Sequence, residues 1–306
     1  MSLYNVLNRS LMQAGQPEDI STVVSNLDAI ASVLNGNIED VNVSSAAAIQ
    51  YSKISVPAGA IAPSKLTGYP ADATKVLKGD GTWAIGSLIA VRMLTASGTY
   101  TPTAGTRAVY VECVGSGAGA GGCAAAGASQ AAAGGGGGGG AYAASFLTSG
   151  FAGVAYTIGA AGAASAAGNS PGGNGGDTIF GASIIVAKGG LAGSGAAVFA
   201  GAYGITAQGG GGGIAASCVG DMRVAGCQGT IGYVLNTSQG YAGWGGAAGM
   251  GFGASVGGGW SNGAVIPGTV GQQYGGGGSG ACNGSSGAAG AGGAGALGVI
   301  RIWEFA

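Results

Sequence analysis

Apolar residues follow two periods along this chain, and long stretches follow neither. Ile20, Val23, Leu27, Ile30 and Leu34 recur at steps of three and four, the seam of an amphipathic helix. Pro17-Glu18-Asp19 suits its start and Asn35-Gly36 its end. Such a seam serves a coiled coil, or a helix packed on its own domain; isoleucine and leucine at these positions are compatible with three chains. From Asn37 the texture changes to short apolar pairs between turn residues, with Ile49, Ile54, Ile61 and Leu66 at wider intervals. Strand-like alternation then predicts strands at Leu88–Leu94, Arg107–Val114 and Gly298–Phe305, a strand or pair within Phe146–Ile158, and a strand at Phe180–Ala187.

Between these strands stand glycine runs: Gly134–Gly140, Gly209–Gly213, Gly257–Gly259 and Gly275–Gly278. A lone glycine run reads as a flexible linker. Here the runs are separated by segments carrying Phe, Tyr, Trp, Ile and Val, residues that favour collapse. The physical alternative is a bundle of polyproline-II-type helices, three residues per turn, whose amides and carbonyls point outward to neighbouring rods. Glycine at the inner positions allows rods to approach closely enough to bond laterally. Only a dense lateral network offsets the backbone entropy that ordered glycine loses. The expected fold is therefore mainly β with a polyglycine-II helix bundle.

Composition narrows the alternatives. Glycine is 72 of 306 residues, and about one residue in three from position 115 onward, a collagen-like share. No strict third-place period is kept, and only Pro171 and Pro267 follow position 115, which excludes collagen. A 47% apolar content disfavours disorder, and a net charge of −1 gives no electrostatic case for nucleic acid or an anionic membrane. No apolar run reaches membrane-spanning length, and Met1–Gln13 lacks the pattern of a secretory signal, so synthesis in the cytoplasm is expected. For each of Cys113, Cys123, Cys218, Cys227 and Cys282 a buried free thiol is expected, with a Cys218–Cys227 bridge as the alternative.

Catalytic chemistry has few residues to use. The chain has no histidine, and after Glu112 its only charged residues are Asp177, Lys188, Asp221, Arg223, Arg301 and Glu304. Repeated Gly-x-Gly-x-x-Gly is expected by chance at this glycine content, and no Gly-Lys-Ser/Thr follows any run. Gly172–Phe180 fits the calcium β-roll nonapeptide, but one copy cannot build a roll. The expectation is a protein that is not an enzyme and uses no cofactor or metal.

Two groups of motifs carry a resemblance. "LNGNIEDVNV", "AIQYSKI" and "ATKVLKGDGTWA", within Leu34–Ala84, resemble the shaft and neck of bacteriophage tail fibres, in which three chains wrap around one another. "ASGTYTPTAGTRAVYVECVGSGAGAGG", the glycine runs, "GGDTIFG" and "GVIRIWEF", spanning Thr95–Phe305, are similar to the glycine-rich tip domain of such fibres. The resemblance implies an elongated homotrimeric fibre with a short N-terminal helical segment: an attachment segment at 1–36, a shaft and neck at 37–86 and a glycine-rich tip at 87–306. It implies a phage adhesin located in the virion, held by other tail or baseplate proteins through its N-terminus. Its partner would be a bacterial surface receptor, a glycan or an outer-membrane protein. An ice-binding protein on the same bundle would need a flat face of small residues, and a structural fibre segment would have little use for aromatic loops.

Tyr142, Phe146, Phe151, Tyr156 and Phe180 fall in the strand-like framework and are expected in the core. Phe199, Tyr203, Tyr241, Trp244, Trp260 and Tyr274 fall in irregular segments between glycine runs. If the rods alternate in direction, these segments emerge at the bundle's ends, where rings supply contact area at low entropy cost. The loops 191–207, 214–233 and 260–274 are the candidate receptor surface, with Phe199, Tyr203, Trp260 and Tyr274 as anchors. The cluster Asp221-Met222-Arg223 would orient a polar ligand.

Overall fold

The computed structural model describes residues 20–34, 75–77, 83–85, 88–253 and 256–306. The chain divides into two compact units, residues 1–69 and 70–306. In the first, a helix spans Ile20–Leu34, the length of the apolar seam, with Val24, Leu27 and Ile30 exposed. The intervals of Ile49, Ile54, Ile61 and Leu66 lie outside the described residues, as does most of the shaft-like segment. Of the latter, the strands Lys75–Leu77 and Trp83–Ile85 pair antiparallel within the second unit. The described fold is mainly β, and its sheets are antiparallel.

A five-stranded sheet founds the second unit. The last strand, Val299–Phe305, lies between Leu88–Leu94 and Ala108–Val114; Tyr142–Leu147 and the edge strand Met222–Val224 extend the sheet beyond. One face packs Val109, Val111, Cys113, Ile300 and Ile302 against Tyr100, Phe180 and Ile185. Thr178–Phe180 and Ile185–Ala187 belong to a second, four-stranded sheet beside Ala155–Thr157 and Gly98–Thr99. The expected single strand over 180–187 is thus a hairpin, because Gly181 adopts φ +62° and turns the chain. Phe146, expected in the core, is half exposed: it faces the outer side of the sheet, where its ring neighbours Phe305 at 6.1 Å.

From this sheet the glycine rods rise. In 115–123 the donors change partner with a strict period of three. Gly115, Ala118 and Gly121 donate to Ala141, Gly138 and Gly135; Ser116, Gly119 and Gly122 to Gly176, Gly173 and Ser170; Gly117, Ala120 and Cys123 to Ala296, Gly293 and Gly290. That is the period of a polyproline-II helix bonded to three antiparallel neighbours. The 134–141 rod repeats the pattern, donating to 275–281, 188–194 and 227–230 in rotation, and accepting from 115–121, 210–213 and 243–249. Both rods are enclosed on every side. Partner numbers fall as donor numbers rise between 115–123 and 134–141, 159–163 and 170–176, 188–196 and 208–213, and 226–230 and 242–248, so successive rods alternate in direction.

Glycine here is a matter of space. A Cβ at Gly134, Gly137 or Gly140 would meet the carbonyl oxygens of Gly121, Ala118 or Gly115 at 2.1, 2.2 and 1.9 Å. At Gly135 and Gly138 it would meet Gln208 and Gly211, and at Gly136 and Gly139 it would meet Trp244 and Ala247. The seven-glycine run is therefore the centre of the bundle. It is required on all three of its faces because neighbours press on all three.

Alternation sorts the connections. Residues 142–157, 177–187, 214–224 and 272–274 return at the sheet end; 124–133, 164–169, 197–207, 231–241, 260–265 and 283–289 gather at the far end.

Candidate functional site

The far end is capped by a small antiparallel sheet of Gly204–Ala207, Gly232–Asn236, Gln239–Tyr241 and Trp260–Ser261, in that order. Its inner side lies directly on the bundle, and glycine occupies it for that reason. A Cβ at Gly232 would meet the Ala133 carbonyl at 2.0 Å, and one at Gly240 the Asn283 carbonyl at 2.6 Å. Because strand side chains alternate, each inward glycine sends its neighbour outward. The outward positions are Ile205, Tyr233, Tyr241 and Trp260, consecutive cross-strand partners that make one row. The Tyr233 and Tyr241 rings stack at 5.1 Å with planes 2° apart, and Trp260 follows Tyr241 at 6.1 Å. Asn236 closes the hairpin, donating Nδ2 to Gln239 Oε1 at 2.9 Å and accepting from the Ser238 amide at 2.9 Å.

Beside the row is an open recess of about 480 Å³, lined by Tyr203, Gly204, Ile205, Ile231, Tyr233 and Val234. Tyr203 forms its outer wall, 78% exposed, with φ +57°. Left-handed backbone is costly for a bulky side chain and routine only for glycine, asparagine or aspartate. Phe199 buttresses this loop from behind: its ring occupies the space a Cβ would need at Gly201 and Gly204.

The expected site residues are thereby divided. Phe199, Tyr203 and Trp260 share the far end. Asp221, Met222 and Arg223 are exposed on the edge of the five-stranded sheet, where Arg223 Nη1 donates to the Cys218 carbonyl at 3.4 Å. Tyr274 packs beside Phe252 against the cluster of Val114, Tyr142 and Val299. The loops 191–207, 214–233 and 260–274 each mix rod and connection, and the last two touch both ends. Tyr233 and Ile205 are site residues that the aromatic grouping passed over. The segment 231–241 carries real strands, contrary to the irregularity expected of it. Its signal is local: Ile231 and Tyr233 outward, Gly232 and Val234 inward, then Asn236-Thr237-Ser238-Gln239 as the turn.

Charge sits at the opposite end. Arg301 pairs with Glu112, with Nη2 to Oε1 at 2.8 Å, and Glu112 also accepts from Trp303 Nε1 at 2.8 Å and the Tyr142 hydroxyl at 2.9 Å. Burial alone would raise the Glu112 carboxyl, but hydrogen bonds from Arg301, Trp303 and Tyr142 outweigh it and hold it below the usual range. A carboxylate so saturated with donors is a structural tie. Asp177 pairs with Lys188 and also accepts from the Gly189 amide at 3.0 Å. The far-end connections contain no Asp, Glu, Lys or Arg at all.

The cysteines are all unpaired, so the alternative Cys218–Cys227 bridge is not formed. Cys113, Cys123, Cys218 and Cys282 are buried as expected, whereas Cys227 is exposed, because its rod lies on the bundle surface. Among the described residues, no His/Cys/Asp/Glu cluster could hold a metal ion.

None of the curated proteins matches this sequence. Residues 94–302 match the glycine-rich domain, a span that begins in the first strand of the five-stranded sheet and ends in the last. The repeated close approach of rods, the closing strand and this match cover the same residues, and the chain belongs to the glycine-rich domain family.

Proposed function

We propose that this protein is an adhesin of the bacteriophage tail-fibre type, whose glycine bundle presents a receptor-binding surface at the end away from its five-stranded sheet. The observation that carries the reading is the gathering of the exposed rings Tyr203, Tyr233 and Trp260, with half-buried Tyr241 between the last two, on a sheet whose backbone is fixed by the bundle beneath it. A rigid base with large rings on short connections is what low-entropy recognition needs. An ice-binding face of small residues is not what these strands present.

In this reading the chain is a homotrimer, located in the virion at a fibre tip and attached to other tail or baseplate proteins through its N-terminal segment. Three tips on one axis turn weak contacts into avidity. Asp221, Met222, Arg223 and Tyr274 lie at the sheet end and take no part in the surface.

The test is adsorption of the fluorescently labelled full chain to a panel of intact bacteria. Tyr203→Ala and Trp260→Ala should each lower adsorption about tenfold, a hot-spot effect, with Gln272→Ala at the sheet end as an unaffected control. Adsorption to no strain, or adsorption indifferent to both ring substitutions, overturns the reading.

A further inference from the structure

We infer that the recess between Tyr203 and Tyr233 is a binding site for one unit of a neutral glycan, continued across the row by Tyr241 and Trp260. The inference names the ligand class of the surface proposed above and rests on that reading for its biological setting.

Three observations converge on this ligand. The first is the geometry of the walls. The Tyr233 ring is held by Tyr241 in a near-parallel stack, and Tyr233 also lines the recess with Ile205 and Ile231. Stacking and cross-strand pairing hold that ring in place before any ligand arrives, which lowers the entropy cost of binding. A pyranose ring has an apolar face of C–H bonds and a rim of hydroxyls, so it can lie on an aromatic face while its rim stays hydrated. The recess is open, and Tyr203 is 78% exposed. A ligand there keeps one side in water, which suits a polyhydroxylated ring better than an acyl chain.

The second is the backbone at Tyr203. Its φ of +57° costs energy that glycine would not incur, and its ring is not buried, so packing does not account for tyrosine there. The strained residue is instead the one that closes the outer wall.

The third is charge. The far-end connections are uncharged throughout; the row itself carries phenol hydroxyls, and the amides of Asn236, tied to Gln239 and Ser238 within its hairpin, and of Asn262 stand in the adjoining sequence. An acidic glycan or a charged peptide would find no counter-charge, and its desolvated ions would count against it. Amides and phenols supply hydrogen bonds to hydroxyls.

The experiment uses the full-length chain against immobilised neutral oligosaccharides of glucose, galactose and N-acetylglucosamine, with sialylated oligosaccharides as the charged arm. Saturation-transfer NMR reports which sugar protons meet aromatic rings. At least one neutral oligosaccharide should bind, and Tyr233→Ala should weaken it about tenfold through loss of a ring contact. Tyr203→Gly separates binding from structure: it relieves the backbone, so the melting temperature should hold or rise while saccharide binding falls by a similar factor. Binding by no neutral saccharide, preference for the sialylated arm, or binding that survives both substitutions overturns the inference. Cell adsorption that depends on Tyr203, survives periodate oxidation of the cells and is lost on protease treatment assigns a protein receptor; it sinks the glycan site and leaves the adhesin reading standing. Saccharide binding without adsorption to any cell does the reverse.

Discussion

Tyr100 donates its hydroxyl to the buried carboxylate of Glu304 at 2.6 Å, joining residues 204 positions apart. Glu304 also accepts from the Thr103 amide at 3.3 Å and lies 3.6 Å from Arg92. The pair fastens the last strand to the connection that follows the first. Since the glycine bundle lies between them in sequence, this contact helps close the ends of a fold whose middle consists of rods.

Acid should loosen that closure. Burial would raise the Glu304 carboxyl, but hydrogen bonds from Thr103 and Tyr100 and the charge of Arg92 outweigh burial and leave it below the ordinary value. A depressed folded value means the folded state binds fewer protons than the unfolded one. The stabilisation is present above the unfolded carboxyl value of about 4.3 and is lost as pH falls through the folded value. Glu112 acts in the same direction. Denaturant titrations at stepped pH should show stability falling below about pH 4, and Glu304→Gln should flatten that limb. Tyr100→Phe should cost about 1.5–3 kcal/mol at neutral pH, the range for a hydrogen bond to a charged group.

The seven-glycine run should tolerate no side chain. Gly137→Ala places a methyl carbon 2.2 Å from the Ala118 oxygen, and Gly137→Val is worse. Either should destabilise by ~3 kcal/mol or more, or prevent folding, since two backbones must separate. Gly263 is the internal control: a Cβ there meets nothing within 4 Å. Gly263→Ala should be neutral or stabilise by up to about 1 kcal/mol through the unfolded chain. Equal melting temperatures for the two alanine variants would reduce the run to a linker.

Thiol labelling should find one reactive cysteine. Cys227 is exposed, while burial pushes the Cys123 and Cys282 thiols up to about 11 and raises Cys113 and Cys218 as well. Iodoacetamide under native conditions should modify Cys227 alone, with the other four reacting only in denaturant, as mass spectrometry of the digest would show. Native labelling of Cys123 or Cys282 would contradict the packing of the bundle.

The proposed trimer predicts a mass and a place at which it can be broken. Sedimentation equilibrium of the full chain should give three times the mass of 28.4 kDa. Leu27→Glu with Ile30→Glu should lower that mass, since both side chains are exposed on the single chain's helix. A monodisperse monomer of the unsubstituted protein would end the trimer proposal.

Much of the framework was legible because strands announce themselves locally. The strand expected at Gly298–Phe305 forms as Val299–Phe305, and it pairs with Leu88–Leu94, which brings the two ends of the glycine region together. The three-residue bonding period of a polyproline-II rod is complete in the two enclosed rods, 115–123 and 134–141. Phe146, expected in the core, is half exposed for a reason that alternation does not carry. Alternation says that a ring lies on one face of a strand or loop, but not which face the rest of the chain will cover. The alternation around Tyr233 is weak because the five-residue strand Gly232–Asn236 is too short a window for a period of two to stand out.

The sequence by itself determined that this chain needs rods in close lateral contact, because glycine at that density with so much apolar residue between the runs has no other ordered use. It also placed strands at the two edges of the region. Only the tertiary structure decided which connections share an end, because that depends on the direction of each rod. Direction is set by lateral hydrogen bonds between residues such as Gly136 and Thr230, or Gly137 and Gly278, far apart in sequence and identical in local character to their neighbours. Glycine carries no side chain with which to signal its partner. The far-end surface, with Tyr203 beside Tyr233 and Tyr241 beside Trp260, is therefore a product of packing: the rods beneath admit only glycine, and the rings are turned outward by exclusion.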